Sequence, residues 1–257
     1  MKKIFIDGKA GTTGLRIYER LESRNDIQII SLSEELRKDP VARKEAINSS
    51  DITFLCLPDE ASRQALTFVE NENTVIIDTS TAHRTDPRFV YGFPELDPCF
   101  EERLKNSKRI AVPGCHASGF IALVYPLIKN GFLPEDALIT CHSITGYSGG
   151  GKKMIEEYEN RNSPSLLDAP RQYGITQNHK HLKEMQAVTG LSSLPVFCPI
   201  VAPFYSGMEV SVPLFASQLC GKGIDDIKKL YQSIYNSPVV FYRECGDEEG
   251  FLSSAAL

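Results

Sequence analysis

Short apolar runs alternate with helical segments through the first half of the chain, and this alternation constrains the fold more than any other feature. The predicted strands are Lys3–Ile6, Ile27–Leu32, Ile52–Leu57, Thr74–Asp78 and Arg109–Val112. Helices are predicted between them at Thr13–Arg24, Pro40–Asn48 and Asp59–Glu70. Short β-branched runs separated by helices are typical of a parallel sheet that is covered on both faces. The sequence therefore predicts an α/β domain of the doubly wound Rossmann type.

The pattern changes after Gly119. An apolar helix is predicted at Phe120–Asn130, a long strand at Ala137–Gly146 and a charged helix at Lys153–Arg161. The later segments are a polar, proline-rich stretch at Asn162–Gln177, helices at His181–Thr189 and Ile224–Asn236, and strands at Val196–Ala202, Met208–Phe215 and Val239–Tyr242. This half indicates a mixed α+β domain. Because 257 residues suffice for two ordinary domains, we expect one at residues 1–114 and another at 115–257.

Composition argues against several classes of protein. The formal net charge of −5 leaves no basic surplus for a nucleic-acid surface, so no nucleic-acid partner is expected. No apolar run is long enough to span a bilayer, and the first residues lack the apolar core of a signal peptide. We therefore expect a cytoplasmic protein without a membrane partner.

The cysteines are odd in number and scattered, and none are spaced as Cys-x-x-Cys. The seven are Cys56, Cys99, Cys115, Cys141, Cys198, Cys220 and Cys245. This pattern favours reduced thiols, and it lacks the second close pair that a tetrahedral zinc site needs. No metal site is predicted, and most of these cysteines are expected to be small, buried apolar residues.

Gly8, Gly11 and Gly14 lie between the first predicted strand and the first predicted helix. Their Gly-x-x-Gly-x-x-Gly spacing would let backbone N–H groups approach a pyrophosphate at the helix N-terminus. The alternative is a tight turn that simply needs flexible glycines. The strand before the motif and the helix after it favour a dinucleotide site.

Serines follow the second predicted strand, where an acidic residue commonly holds a ribose 2′-hydroxyl. Ser31 and Ser33, with Arg37 and Lys38 nearby, suit the 2′-phosphate of NADP. Two glutamates stand in the same loop, and the alternative is that the two cations are solvated helix charges. NADP is the favoured cofactor.

Arg84 follows the fourth predicted strand at its carboxyl end, where ligands bind in such sheets. Its planar guanidinium could hold a carboxylate or a phosphate through two parallel hydrogen bonds. The alternative is a surface loop in which Arg84 forms an ion pair that only stabilises the fold.

Cys115 follows a short apolar run and the pair Pro113-Gly114, at the predicted start of a helix. The N–H groups and the positive dipole end of a helix stabilise a thiolate at that position. The proline and glycine would provide the sharp entry that directs the thiol outward. Cys115 is therefore a candidate nucleophile.

Two histidines, His179 and His181, stand just before or at the start of a later predicted helix. A neutral imidazole close to the thiol could accept its proton and later protonate an oxygen. The alternative is a pair of polar residues that only begin a helix. His83, His116 and His142 are expected to be structural.

Six segments keep a definite order along the chain. They are Phe5–Gly14, Ser80–Arg84, Tyr91–Leu96, Pro113–Gly119, Gly146–Lys152 and His179–His181. Together they resemble the N-acetyl-gamma-glutamyl-phosphate reductase family, in its shorter variant, within the semialdehyde dehydrogenase superfamily. This resemblance implies a Rossmann-type domain followed by an α+β catalytic domain.

The resemblance also implies a reaction. It would be the NADPH-dependent reduction of N-acetyl-L-glutamyl 5-phosphate to the 5-semialdehyde and phosphate, in arginine biosynthesis. Cys115 would form a thioester with the acyl group, and His179 would be a better acid–base candidate than His181. A homo-oligomer that binds a small acyl phosphate is expected. The alternatives are an enzyme like aspartate-semialdehyde dehydrogenase, or a non-catalytic NADP-binding or redox-sensing protein.

By the same resemblance, further residues become candidates for binding. Those for the carboxylate or phosphate of the substrate are Arg84, Ser143, Lys152 and Tyr173. Those for the cofactor are Gly8, Gly11, Thr12, Thr13, Gly14, Ser31, Ser33 and Arg37, with Ser148, Gly149 and Gly150 beside the nicotinamide.

The chain departs from the family pattern at three places. Ser118 stands where relatives usually have threonine, which keeps a hydroxyl, and Lys183 stands where they have proline. Relatives also continue beyond the final segment Gly250–Leu257 through a strand and a helix that return to the cofactor domain. From this last difference we expect weaker cofactor binding, lower stability or compensation by a partner subunit.

Overall fold

The computed structural model describes residues 1–160, 164–244 and 251–253. The chain divides into two compact units. The first comprises Met1–Pro94 and Cys99–Pro113, and the second comprises Glu95–Pro98 and Gly114–Leu257.

The first unit contains a six-stranded sheet in which every strand pair is parallel. Its strands are β1 (Lys2–Asp7), β2 (Ile27–Ile30), β3 (Ile52–Leu55), β4 (Val75–Asp78), β5 (Val90–Tyr91) and β6 (Arg109–Ala111), in the order β2-β1-β3-β4-β6-β5. The helices that accompany them are α1 (Thr12–Leu21), α2 (Pro40–Ser49), α3 (Asp59–Thr67) and α4 (Pro98–Asn106). The predicted doubly wound α/β class is confirmed. The strand order reverses between β1 and β3, which is where such sheets bind ligands.

Apolar side chains from strands and helices form the core of this unit. The buried cluster consists of Phe5, Ala46, Ile47, Leu55, Ala65 and Ile76. The sequence did not predict β5, which has two residues, or α4, which has no buried residue. An element without a buried apolar face leaves no periodic signal in the sequence.

The second unit contains a four-stranded mixed sheet, which confirms the predicted α+β class. Its strands are β7 (Thr140–Gly146), β8 (Arg171–Gln172), β9 (Val196–Ala202) and β10 (Met208–Ser211), in the order β10-β7-β9-β8. Strands β7 and β9 are parallel, and the two outer pairs are antiparallel. The helices are α5 (Cys115–Lys129), α6 (Lys152–Glu159), α7 (His181–Thr189) and α8 (Ile224–Ile234).

Helix α5 contains Pro126 in its interior. Proline has no N–H, so the carbonyl four residues earlier, that of Ala122, loses its partner within the helix. The hydroxyl of Tyr235 donates to this oxygen at 2.7 Å. Tyr231 of α8 donates in the same way to the next carbonyl, that of Leu123, at 2.5 Å. The two tyrosines therefore join α8 and the residue that follows it to the helix that begins at Cys115.

Some predicted elements end differently in the structure. The strand predicted at Met208–Phe215 stops at Ser211, two residues before Pro213, which cannot donate to a ladder. Instead of a strand at Val239–Tyr242, an isolated bridge joins Asn236 to Phe241. Expectations about Arg161, Asn162, Cys245, Gly250 and residues 254–257 lie outside the described residues.

Within the described part of the chain, no helix is both long and apolar enough to cross a membrane.

Candidate active site

The glycine motif makes a turn that larger residues would block. Gly8 has φ +90°, and a Cβ added there would lie 2.2 Å from the carbonyl oxygen of Cys56. A Cβ on Gly14 would lie 2.4 Å from the oxygen of Gly8. The N–H of Gly11 donates to that same oxygen at 3.0 Å, and Gly11 precedes the first residue of α1. The turn thus brings backbone to the helix N-terminus as a pyrophosphate site requires.

A cavity of about 540 Å³ lies beside this turn. Its lining includes Gly8, Ser31, Arg37 and Lys38, which the sequence singled out for the cofactor. Arg37 pairs with Glu34 at 2.9 Å, and both side chains are largely exposed. The other candidates from this part of the chain do not line the cavity; they are Gly11, Thr12, Thr13, Gly14 and Ser33.

A buried ion pair at the cavity was not predicted from the sequence. Arg43 of α2 donates from Nε and Nη2 to Asp7, with 2.8 Å between Nη2 and Oδ2, and both residues line the cavity. Burial raises the pKa of Asp7, and the bonds from Arg43 oppose that rise. The sequence could have indicated this pair, because Asp7 ends an apolar strand and a buried carboxylate needs a cationic partner.

A second buried acid, Asp78, ends β4. Its carboxylate accepts from the Ser80 hydroxyl at 2.8 Å and lies 2.5 Å from Nδ1 of His83. The ring of His83 stacks on Phe89. These contacts organise the loop that leads to Arg84.

Arg84 donates to two backbone carbonyls within the first unit. Its Nε bonds the oxygen of Val112 at 2.9 Å, and Nη2 bonds the oxygen of Thr79 at 3.1 Å. These two donors stabilise the loops after β4 and β6. Its proposed contact with substrate stays a prediction.

Cys115 is the first residue of α5, and its side chain is exposed. The preceding residue, Gly114, donates its N–H to the carboxylate of Glu184 at 2.7 Å. Glu184 belongs to α7 and is 2% exposed. This bond secures the backbone entry to the helix next to the thiol.

Two other cysteines show how burial changes a thiol. Burial raises the pKa of Cys56 to about 11 and that of Cys141 to about 12. Because the thiolate is the nucleophile, such groups are inert at neutral pH. Exposure and the helix N-terminus distinguish Cys115 from both.

His116 lies at the centre of a polar cluster next to the nucleophile. Its Nδ1 is 2.7 Å from the hydroxyl oxygen of Ser143, and its Nε2 is 2.6 Å from that of Tyr173. Burial and the charges of His179 and Lys180 lower the pKa of His116 to about 4, so the ring is neutral at pH 7. His116 was expected to be structural, and neither of these two contacts was predicted.

The predicted histidine pair lies against His116. Ring centroids are 5.9 Å apart for His116 and His179, and 4.7 Å apart for His179 and His181. Nδ1 of His179 accepts the backbone N–H of His181 at 3.2 Å, so the neutral ring carries its proton on Nε2. Burial lowers the pKa of His179, and the charge of Lys180 lowers it further. His179 is half-buried, whereas His181 is buried.

Tyr173 is near the nucleophile. Burial raises the pKa of Tyr173, and the charge of Cys115 raises it further. The tyrosine is therefore a neutral O–H group at neutral pH. Cys115, His179, His181, Ser143 and Tyr173, which the sequence proposed separately, thus belong to one cluster.

The glycine-rich segment after β7 forms a short 3₁₀ helix, Tyr147–Gly150, which contains Ser148, Gly149 and Gly150. The N–H of Ser148 donates to the oxygen of Tyr205 at 2.9 Å. Gly151 follows with φ +77°, and Lys152 begins α6 with an exposed side chain. The contact of Ser148, Gly149 and Gly150 with the nicotinamide, and that of Lys152 with substrate, stay predictions.

Arg171 was not singled out from the sequence. With Tyr173, it lines a cavity of about 380 Å³ that also includes Glu157 and the apolar Met154 and Val201. The Nη2 of Arg171 donates to the hydroxyl of Tyr158 at 3.0 Å. Residues two apart on a strand lie on the same face of the sheet. The spacing of Arg171 and Tyr173 could therefore have identified Arg171 from the sequence.

Among the described residues, no group of three histidine, cysteine, aspartate or glutamate side chains could hold a metal ion. The chemistry that the cluster offers is nucleophilic attack by a thiol beside neutral imidazole and phenol donors.

Comparisons with known proteins show which domains the chain contains. Residues 3–106 match the model of the semialdehyde dehydrogenase NAD binding domain, and residues 115–247 match that of the semialdehyde dehydrogenase dimerisation domain. Among solved structures, a probable aspartate-semialdehyde dehydrogenase from Pseudomonas aeruginosa superimposes with a TM-score of 0.62 over 93% of this chain and 84% of that one. An aspartate semialdehyde dehydrogenase with NADP from Candida albicans gives 0.61 over 92% and 77%. Their identities of 15% and 13% show the fold alone.

Curated relatives are much more similar in sequence. N-acetyl-gamma-glutamyl-phosphate reductase 2 of Pseudomonas putida is 42% identical over 250 residues, which cover 95% of this chain and 79% of the relative. N-acetyl-gamma-glutamyl-phosphate reductase of Sinorhizobium medicae is 44% identical over 230 residues, covering 88% and 74%. That of Trichormus variabilis is 46% identical over 216 residues, covering 82% and 67%. The chain therefore belongs to the N-acetyl-gamma-glutamyl-phosphate reductase family of semialdehyde dehydrogenases.

Proposed function

We propose that the protein reduces N-acetyl-L-glutamyl 5-phosphate with NADPH to N-acetyl-L-glutamate 5-semialdehyde and phosphate, a reaction of arginine biosynthesis. The observation that carries this proposal is the exposed thiol of Cys115 at the start of α5, next to His116 and its hydrogen bond to Tyr173. Relatives at 42 to 46% identity are named as N-acetyl-gamma-glutamyl-phosphate reductases, which supports this reaction.

The first chemical step is acyl transfer to the protein. The Cys115 thiolate attacks the acyl carbon, a C–S bond forms, and the C–O bond to phosphate breaks with its electron pair leaving on phosphate. The N–H groups at the N-terminus of α5 favour the thiolate. This covalent capture converts an acyl phosphate into a thioester held at the start of α5.

His179 supplies a proton in this scheme. Because its Nδ1 accepts the N–H of His181, its Nε2–H can donate to the acyl oxygen as negative charge develops there. Burial lowers the pKa of His179, which favours the neutral ring, and an imidazole that is not permanently charged can exchange the proton in both directions. His181 is buried against His179 and orients it.

The residues beside the glycine turn fit NADP. Gly8 and Gly14 leave room for backbone approach, and Ser31, Arg37 and Lys38 line the neighbouring cavity. Serine and cationic side chains suit a ribose 2′-phosphate. Bound NADPH would supply the hydride that reduces the thioester. Thr12, Thr13 and Ser33, together with Ser148, Gly149 and Gly150, remain candidates for cofactor contact.

The substrate is an N-acylated amino acid, which carries a carboxylate and an amide N–H. In the cavity beside Tyr173, the Arg171 guanidinium is suited to the carboxylate and Glu157 to an N–H donor. Met154 and Val201 offer apolar surface for the acetyl methyl group. Arg84 and Lys152 remain further candidates for the anionic groups.

We also infer that the two domains have different roles and that the protein forms a homo-oligomer. Residues 1–114 would bind NADP and residues 115–257 would perform acyl transfer, which the matches at 3–106 and 115–247 support. The dimerisation-domain match supports a homo-oligomer.

The test is the reverse reaction with two aldehydes. We expect phosphate-dependent reduction of NADP with N-acetylglutamate semialdehyde and much slower reduction with aspartate semialdehyde. A preference for the aspartyl compound would overturn the substrate assignment. Cys115→Ser is expected to abolish turnover while NADPH binding persists, and Cys99→Ser, which removes another exposed thiol, is the matched control. Cofactor binding without turnover in the wild-type protein would favour a sensor instead.

A further inference from the structure

The positions of the nitrogen and oxygen atoms around His116 do not by themselves show which group donates each hydrogen bond. Ser143 and Tyr173 lie at opposite ring nitrogens of His116, at 2.7 and 2.6 Å. A neutral imidazole has one N–H and one lone pair, so one hydroxyl must donate to the ring and the other must accept from it. Two arrangements are therefore possible, and they differ in what Tyr173 can do.

Burial of Ser143 selects between them. Its side chain is 0% exposed, and within the described part of the chain its hydroxyl has His116 as its hydrogen-bond partner. If His116 donated to Ser143, the serine O–H would need a second acceptor in the protein interior. Leaving such a group unsatisfied is costly, whereas donation from Ser143 to Nδ1 satisfies it.

The direction at Tyr173 follows. When Nδ1 accepts from Ser143, the proton of His116 is on Nε2 and is donated to the tyrosine oxygen. The hydroxyl hydrogen of Tyr173 is then available for another acceptor. Cys115 directly precedes His116 at the start of α5, and the ring of His116 lies 2.6 Å from this hydroxyl, so the thiol is near Tyr173. The raised pKa of Tyr173, to which the charge of Cys115 contributes, agrees with this placement.

We propose that Ser143 and His116 are positioning residues that hold Tyr173 as a hydrogen-bond donor to the negative charge that develops beside Cys115. Tyr173 is the catalytic residue of this relay, because it would touch the reacting group. No proton moves along the relay; each hydrogen bond fixes the orientation of the next donor. This inference rests on the proposed acyl transfer and assigns Ser143 a role behind His116 instead of direct contact with substrate.

Strand register supports the arrangement. Ser143 of β7 pairs with Pro199 of β9, and Tyr173 continues the neighbouring strand by donating its N–H to the Pro199 oxygen at 3.0 Å. Paired residues in a sheet point to the same face. Ser143 and Tyr173 are therefore held on one face by the sheet backbone, and His116 from α5 fills the space between their hydroxyls.

The test is a double-variant cycle on the full-length protein. For acyl-phosphate reduction, Tyr173→Phe is expected to lower kcat by about a hundredfold, the usual effect of losing a donor to developing charge. Ser143→Ala is expected to lower kcat by about fivefold to tenfold, since it loosens one hydrogen bond. In the Tyr173→Phe background, however, Ser143→Ala should change kcat less than about twofold, because the hydroxyl that Ser143 helps to position is already absent.

Two further variants separate orientation from folding. His116→Gln retains an amide N–H that can reach Tyr173 and should recover part of the activity that His116→Phe loses. Thr189→Val removes another buried hydroxyl of the same unit, one that bonds only the backbone of α7, and should leave kcat unchanged. NADPH affinity should stay at the wild-type value in all of these variants.

The alkylation of Cys115 by iodoacetamide provides a readout that does not need the substrate. Tyr173→Phe and Ser143→Ala should each slow alkylation at neutral pH, and together they should slow it no more than Tyr173→Phe alone. Independent, multiplying effects in both assays would overturn the relay. If the wild-type protein did not reduce the acyl phosphate, the proposed function would fail, and the alkylation cycle would still decide the relay.

Discussion

Replacing Arg43 with methionine should destabilise the protein and weaken NADPH binding together. Arg43 and Asp7 form a buried ion pair, with side chains 8% and 4% exposed, at the wall of the cofactor cavity. Methionine keeps much of the volume but removes both donors to Asp7. Removing one member of a buried pair costs about 3–5 kcal/mol, because the remaining charge has no compensation.

The pH dependence of that loss follows from Asp7. Burial already raises the pKa of this carboxyl, and without Arg43 the opposing effect disappears, so its folded pKa rises further. An acid whose pKa is raised by folding loses stability as the pH increases from its unfolded value of about 3.9 towards its folded value. The Arg43→Met deficit should therefore be smaller at about pH 5 than at about pH 8.

Urea unfolding, followed by circular dichroism at both pH values, measures the deficit, and fluorescence titration measures NADPH affinity. Arg37→Met is the matched control, because its pair with Glu34 is exposed and such pairs contribute about 0–1 kcal/mol. The double variant Asp7→Asn/Arg43→Met should recover stability, since no unpaired charge remains. If Arg43→Met unfolded no more easily than Arg37→Met, or if its deficit grew on acidification, the reasoning would be refuted.

Three other predictions concern α5, the glycine turn and the histidine pair. Tyr235→Phe should lower the free energy of unfolding by about 1–3 kcal/mol, because Pro126 leaves the Ala122 carbonyl without a helical donor. Tyr231→Phe should cost less in the same urea titration, and equal losses would contradict this reading. Gly14→Ala should abolish NADPH binding measured by fluorescence, since its Cβ would meet the Gly8 oxygen at 2.4 Å; normal affinity would remove the steric argument. His179→Ala should lower kcat far more than His181→Ala, and the reverse order would identify His181 as the proton donor.

The sequence predicted the main sheet elements because their burial repeats along the chain. Strand β9 was predicted with its observed bounds, Val196–Ala202, and β1 within one residue at each end. Strand β8 was missed because two residues at the edge of a sheet carry no periodicity of their own. The strand predicted at Val239–Tyr242 has an apolar run, but the structure gives these residues only one bridge.

The site was less predictable where partners are distant in sequence. Cys115 and the pair of histidines stand out as local motifs, and the structure places them in one cluster. The partners of His116, Ser143 and Tyr173, are 27 and 57 residues away in the sequence. The residues that flank His116 therefore do not indicate these hydrogen bonds. The bond from Gly114 to Glu184 spans 70 residues. Contacts of this kind depend on how helices pack on the sheet, which a single sequence does not express.

The central claim is covalent acyl transfer to Cys115. Intact-protein mass spectrometry after mixing the protein with N-acetyl-L-glutamyl 5-phosphate, without NADPH, tests it directly. We predict one acyl adduct per chain, located on the peptide that contains Cys115, released by NADPH and absent in Cys115→Ser. An unmodified protein that nevertheless oxidises NADPH at full rate with this substrate would contradict the account.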